Sequence, residues 1–60
     1  MPTRITFVTG RGFDVEEDIE DVERRLIASD SLLVRFEVSR GGRMEPVRVN
    51  PFQIVHLEQT

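Results

Sequence analysis

Residues 32–49 read LLVRFEVSRGGRMEPVRV, two alternating runs of apolar residues on either side of a Gly41-Gly42 pair. A Gly-Gly pair between two such runs is typical of a two-residue β-hairpin turn. A hairpin centred there pairs Phe36 with Val47, so that the apolar residues of both strands share one face. Because a slip of one residue would move one set to the opposite face, this match specifies the register.

The first strand of this hairpin is predicted over residues 32–38. In the same register Pro46 takes a non-hydrogen-bonded position opposite the 32–38 strand. The N–H that proline lacks would therefore point away from that strand, toward the outer edge of the hairpin. Residues 44–49 are therefore predicted to form an edge strand or to carry a bulge, since proline cannot donate to a further strand.

A second hairpin is predicted at the start of the chain. Residues 4–8 alternate and predict a strand, and Gly-Arg-Gly at 10–12 follows. A three-residue loop there places Phe7 opposite Val15 and keeps the apolar side chains on one face. Gly12 would then take the left-handed position that such a loop requires.

Residues 17–28 are predicted to form an amphipathic helix. Ile19, Val22 and Leu26 recur at spacings of three and four, and Ile27 widens the apolar stripe. Acids in the first turns and arginines near the end both suit the helix dipole. The capping region would be Asp14 or Glu16, and Asp14-x-x-Glu17 has the spacing of a capping box.

The end of the chain predicts a turn at Asn50-Pro51, with Phe52 packing back over it, and a last strand over 54–58. The element order is ββαβββ in a single domain over residues 1–60. We expect an α+β fold in which one helix packs on a small, mostly antiparallel sheet that stays open or curls toward a barrel. The predicted core consists of Ile5, Phe7, Phe13, Val15, Ile19, Val22, Leu26, Val34, Phe36, Val38, Val47, Val49, Ile54 and Leu57.

Sixty residues bury only about 60% of their unfolded surface, so a domain of this size is marginal alone. The chain has no cysteine and one histidine, which excludes disulfides and the usual zinc ligand sets. We therefore expect a homo-oligomer, with a monomer as the alternative, and no cofactor or metal. All eight basic residues are arginine, a bias typical of GC-rich genomes such as those of actinobacteria or their phages. The chain shows neither a signal peptide nor a transmembrane segment, which predicts a cytoplasmic location.

No pattern of catalytic residues is present, and we expect a protein that is not an enzyme. His56 is the only imidazole, and no serine lies in a nucleophile-elbow context. Gly10-Arg11-Gly12 lacks the lysine of a phosphate-binding loop and the third glycine of a dinucleotide fingerprint.

Charge is unevenly distributed, with seven of the eleven acids inside residues 14–23. A solvated helix face accounts for most such runs, but an acidic helix can also mimic the phosphate charge of nucleic acid and occupy a basic protein. The hairpin register also places Arg35 opposite Arg48, an unfavourable like-charge pair that Glu37, diagonal to Arg48, would neutralise. The residues predicted to contact a protein partner are Glu16, Glu20, Glu23, Arg35 and Arg48.

These two charged surfaces suggest a function. The acidic helix of one subunit would dock on the arginine face of its neighbour, a head-to-tail contact that closes as a ring. We predict a protein–protein interaction module with a regulatory or inhibitory role. The alternative is nucleic-acid binding through Arg35, Arg40, Arg43 and Arg48, against which stand the net charge of −3 and the absence of tyrosine and tryptophan for base stacking.

The segment VNPFQIVHLE, residues 49–58, is similar to the Asn-x-x-x-Ile-x-x-Ile-Glu segment of the small FlbD/SwrD flagellar proteins. A related segment occurs in LytTR-type DNA-binding domains, which are longer and basic. In the FlbD-type proteins the segment lies near the start of the chain. The resemblance implies a small β-rich module and assigns no functional residue. The overall pattern also resembles short proteins of actinobacteria and their phages.

Overall fold

A computed structural model of the chain describes residues 1–60. It contains one α-helix and five strands in the predicted order. The elements are β1 Thr3–Phe7, β2 Gly12–Val15, α1 Ile19–Ala28, β3 Val34–Arg40, β4 Arg43–Val49 and β5 Ile54–Gln59, with a 3-10 turn at Pro51–Gln53. The α+β class is confirmed, and the strands form two antiparallel sheets, β2-β1-β5 and β3-β4, without closing into a barrel.

The β3–β4 hairpin has the predicted register, with Phe36 opposite Val47. Gly41 and Gly42 both have positive φ, at 57° and 79°, as a two-residue hairpin turn of this type requires. Pro46 lies on the outer edge of the hairpin, where β4 has no further strand partner. The predicted edge strand is therefore confirmed.

The β1–β2 hairpin is formed, but its predicted register is wrong. Ile5 pairs with Phe13, whereas the prediction paired Phe7 with Val15. The turn begins earlier, because the Phe7 carbonyl accepts the Gly10 N–H at 2.9 Å and the Phe7 N–H donates to the Arg11 carbonyl at 2.7 Å. The shift between the two registers is even, so the same side chains face the core in both, and alternation alone could not separate them.

The two glycines of this hairpin exchange their predicted roles. Gly10, with φ of 88°, takes the left-handed conformation that was predicted for Gly12. Gly12 instead lies against the backbone of β1, where an added Cβ would be 2.3 Å from the Ile5 carbonyl oxygen. Gly12 is therefore required for close approach between strands.

Helix α1 begins two residues later than predicted, after Asp18. The predicted capping box is wrong, because Asp14 lies within β2 and pairs with Arg4. Asp18 bonds to the amino group of Met1, and the Ile19 N–H donates to Gln59 Oε1 at 3.2 Å. A side chain from β5 therefore caps this helix.

The core contains the predicted residues. Seven of them are fully buried, and the other seven are half-buried. The fully buried set is Ile5, Val15, Val22, Val34, Phe36, Val38 and Val49.

Three side chains depart from the predicted pattern. Thr3 is fully buried, because its hydroxyl donates to the Glu17 carbonyl at 2.7 Å and burial leaves no polar atom unpaired. Ile27 is 78% exposed and does not widen the apolar stripe. Phe52 is 82% exposed and does not pack over the Asn50 turn, which is held by a bond from the Phe52 N–H to Asn50 Oδ1.

Candidate protein-interaction surfaces

Four of the seven acids in residues 14–23 are neutralised within the chain. Asp14 pairs with Arg4, Glu17 with Arg25, Asp18 with the Met1 amino group, and Asp21 with Arg24. The other three have no ion pair and are exposed: Glu16, Glu20 and Glu23. They are the three acids predicted to contact a partner, and their role stays a prediction.

The structure separates these three acids into two places. Glu20, Glu23 and Ile27 lie on the outer side of α1 and line a shallow depression of about 400 Å³, together with Arg24 and Ala28. We call Glu20, Glu23 and Ile27 the helix surface. An exposed isoleucine beside two unpaired carboxylates combines an apolar contact with a negative rim.

Glu16 precedes the helix and lines a cleft of about 420 Å³ between α1 and the β3–β4 hairpin. At this cleft, the Arg25 guanidinium bonds both the Glu17 carboxylate and the Arg35 carbonyl and lies over the Phe36 ring. The cleft also contains Glu37 and Met44. Its charges are therefore mixed and largely satisfied within the chain.

The arginine strand face is formed as predicted, with Arg35 directly opposite Arg48. Glu37 pairs with Arg35 along the same strand, at 3.2 Å, and forms no ion pair with Arg48. Arg48 has no ion pair at all. The cationic character of this face is therefore concentrated at Arg48.

The four arginines of the nucleic-acid alternative divide in the same way. Arg35 and Arg40 are paired, the latter with Glu45 at 3.8 Å, whereas Arg43 and Arg48 have no acidic partner. The hairpin thus presents two free guanidinium groups.

The outer face of the three-stranded sheet carries Arg4, Asp14, His56 and Glu58. The Arg4 guanidinium donates to Asp14 at 2.9 Å and lowers the pKa of that carboxyl below its ordinary value. Within β5, His56 Nε2 lies 3.0 Å from Glu58 Oε1. His, Asp and Glu side chains nowhere gather in threes around a point that a metal ion would occupy.

Sequence reasoning missed the exposed apolar residues at the end of the helix. Leu32 and Leu33 follow α1 and are exposed, as is Ile27. The adjacency of Leu26 and Ile27 was the available indication, because successive residues on a helix point about 100° apart and a narrow apolar face holds only one of them well.

The ten-residue helix α1 is too short and too polar to cross a bilayer. Comparisons of the chain with protein-family models, with curated proteins and with solved structures give no significant match.

Proposed function

We propose that this protein is a non-enzymatic protein–protein interaction module with a regulatory or inhibitory role. In this proposal the helix surface binds a basic, partly apolar surface of another protein. The observation that carries it is the position of Ile27, 78% exposed and beside two carboxylates that form no ion pair.

The physical argument separates affinity from selectivity. Burial of an exposed isoleucine contributes about 1.5–3 kcal/mol of favourable transfer free energy to a contact. Unpaired carboxylates at the rim accelerate encounter with a cationic partner and disfavour acidic ones. Arg24, which also lines the depression, pairs with Asp21 and not with either carboxylate of the helix surface.

A different protein is a better occupant of the helix surface than a neighbouring copy. The head-to-tail ring predicted from the sequence needs a strongly cationic arginine face. Glu37 neutralises Arg35 within the same chain, which leaves Arg48 as the unpaired charge. One exposed arginine would bind the two carboxylates of the helix surface only weakly, because exposed ion pairs contribute little free energy.

The test is NMR mapping with a synthetic amphipathic helical peptide of leucine and arginine. We expect the amide resonances of Glu20, Glu23 and Ile27 to shift most, and binding to weaken when salt is raised. The triple variant Glu20→Gln, Glu23→Gln, Ile27→Ser should lose the interaction. A control variant with comparable changes of charge and apolar area elsewhere, Asp30→Asn, Glu45→Gln, Met44→Ser, should retain it. Equal loss in both variants would contradict the proposal.

Nucleic-acid binding is the second candidate, favoured by the unpaired Arg43 and Arg48 on the hairpin. A titration with duplex DNA at low salt, followed by the same NMR measurement, tests it. Binding through the hairpin would shift β3–β4 resonances and fall steeply with salt, because phosphate contacts release counterions. Unchanged hairpin resonances at low salt would remove this candidate.

A further inference from the structure

The outer edge of β5 has backbone groups without hydrogen-bond partners. Within β1, Phe7 directs its N–H toward β2, so by alternation Arg4 and Thr6 direct theirs toward β5. Their partners there are Glu58 and His56, and the Thr60 N–H bonds to the Pro2 carbonyl in the same series. The N–H and carbonyl groups of Leu57 and Gln59 consequently point away from β1, toward no other strand.

The other strand edges of the molecule are obstructed. Pro46 removes an N–H from the outer edge of β4. The Arg25 side chain occupies the Arg35 carbonyl on the outer edge of β3. The β2 edge lies beside β3. β5 lacks the proline and the covering side chain that block pairing at exposed edges elsewhere.

The sequence of β5 is complementary to itself when it pairs antiparallel about Leu57. In that register His56 of each copy, which also bonds Glu58 of its own chain at 3.0 Å, lies opposite Glu58 of the other. Val55, where the pairing of β5 with β1 shifts by one residue, lies opposite Gln59. Leu57 lies opposite its own equivalent as a hydrogen-bonded pair, as the outward direction of its backbone groups requires. A two-fold axis through Leu57 therefore satisfies the backbone edge and places opposite charges or hydrogen-bonding groups together twice.

We propose that a second copy of this chain pairs with the β5 edge across this axis. The dimer forms a six-stranded sheet in the order β2-β1-β5-β5-β1-β2, and the half-buried Leu57 extends the apolar face from one copy to the other. This inference goes beyond the proposed function, and its pairing uses no residue of the helix surface.

The experiment is sedimentation equilibrium over a wide concentration range, with variants at the exposed positions 56 and 58. His56→Glu places two acids opposite Glu58 of the second copy, and we expect association to weaken about tenfold. The double variant His56→Glu, Glu58→His exchanges the two groups and should restore association. His56→Lys should strengthen it, because a fixed positive charge then faces Glu58.

Amide hydrogen exchange provides a second readout that does not depend on mutation. The Leu57 and Gln59 amides should become protected as concentration rises, whereas solvent-facing amides outside residues 55–59 should not. Circular dichroism of each variant in dilute solution checks that the fold is retained.

Two results would overturn the proposal: a wild-type chain that stays monomeric at millimolar concentration, or a dimer that His56→Glu leaves unchanged. Neither result bears on the helix surface, because the peptide titration with Glu20, Glu23 and Ile27 variants reads out separately. The two proposals can therefore fail independently.

Discussion

The guanidinium carbon of Arg25 lies 4.5 Å from the centroid of the Phe36 ring. Phe36 is among the largest fully buried side chains, and Arg25 belongs to α1, so this contact joins the helix to the two-stranded sheet. The same guanidinium also bonds the Glu17 carboxylate and the Arg35 carbonyl. One planar cation therefore connects the helix, the segment before it and the edge of β3.

Replacement of Arg25 tests this connection. We expect Arg25→Gln to lower the free energy of unfolding by about 1 kcal/mol, a value that allows for the partial exposure of the side chain. Arg25→Lys should recover little of the loss, because an ammonium cannot stack on the ring and bond both oxygens. Urea unfolding of both variants measures the difference, and Arg24→Gln on the outer face is the control. A lysine variant as stable as the wild type would show that charge alone matters.

Substitution of either glycine in the β1–β2 hairpin, Gly10 or Gly12, is predicted to lower stability, but for a different reason at each position. Gly12→Ala forces a Cβ against the Ile5 carbonyl, and we expect a loss of about 2 kcal/mol or more. Gly10→Ala meets open space and costs about 1 kcal/mol through its positive φ alone.

Asparagine separates the two causes, because it tolerates positive φ but not close backbone approach. Gly10→Asn should therefore be milder than Gly10→Ala, whereas Gly12→Asn should be no milder than Gly12→Ala. Thermal unfolding of the four variants ranks them. The opposite ranking would mean that the turn begins at a different residue.

Gln59 is predicted to stabilise the start of α1 from the far end of the chain. Its Oε1 accepts the Ile19 N–H, and its Nε2 donates to the Met1 and Pro2 carbonyls. Gln59→Ala should cost about 1 kcal/mol and increase fraying of the first helical turn. Gln59→Glu keeps the acceptor and loses the donors, so its stability should lie between those of the wild type and Gln59→Ala. Amide exchange at Ile19 reports the cap directly, and unchanged exchange in Gln59→Ala would contradict it.

Asp14 is predicted to make stability depend on pH in the acid range. The hydrogen bond from Arg4 lowers the folded-state pKa of Asp14 below its ordinary value of 3.8. The pair therefore stabilises the fold fully above the ordinary value, and this contribution is lost as pH falls through the lowered one. Carboxyl NMR titration should show a higher pKa for Asp14 in Arg4→Gln than in the wild type. The stability difference between the two proteins should vanish at low pH.

The opposed arginines of the hairpin predict a stabilising substitution. Arg48→Glu replaces a like-charge pair with an attractive one opposite Arg35, and we expect a gain of about 0.5 kcal/mol. Arg43→Glu changes the net charge equally but lies next to the turn, opposite Arg40 in a hydrogen-bonded pair, where facing side chains are farther apart than in the non-hydrogen-bonded pair of Arg35 and Arg48. Its gain should be smaller. Equal gains in both would indicate a general effect of net charge.

Much of the fold could be predicted because local rules and burial agreed. The Gly41-Gly42 turn has a single compatible register, so the pairing of Phe36 with Val47 was correct. The first hairpin has several turn lengths that keep the same faces together, and the prediction selected the wrong one. The candidate acids Glu16, Glu20 and Glu23 were identified from charge alone, but their division between a cleft and the helix surface was not.

The sequence by itself determined which side chains face the core, because the periods of strand and helix depend only on neighbouring residues. It also determined the element order and the register of the β3–β4 hairpin. Only the tertiary structure decided which acids are neutralised, that Gln59 caps α1, and that the strands divide into two sheets with β5 at an open edge. These features join residues that are distant along the chain, such as Ile19 and Gln59, and no local pattern specifies such contacts. They depend on how the elements pack together.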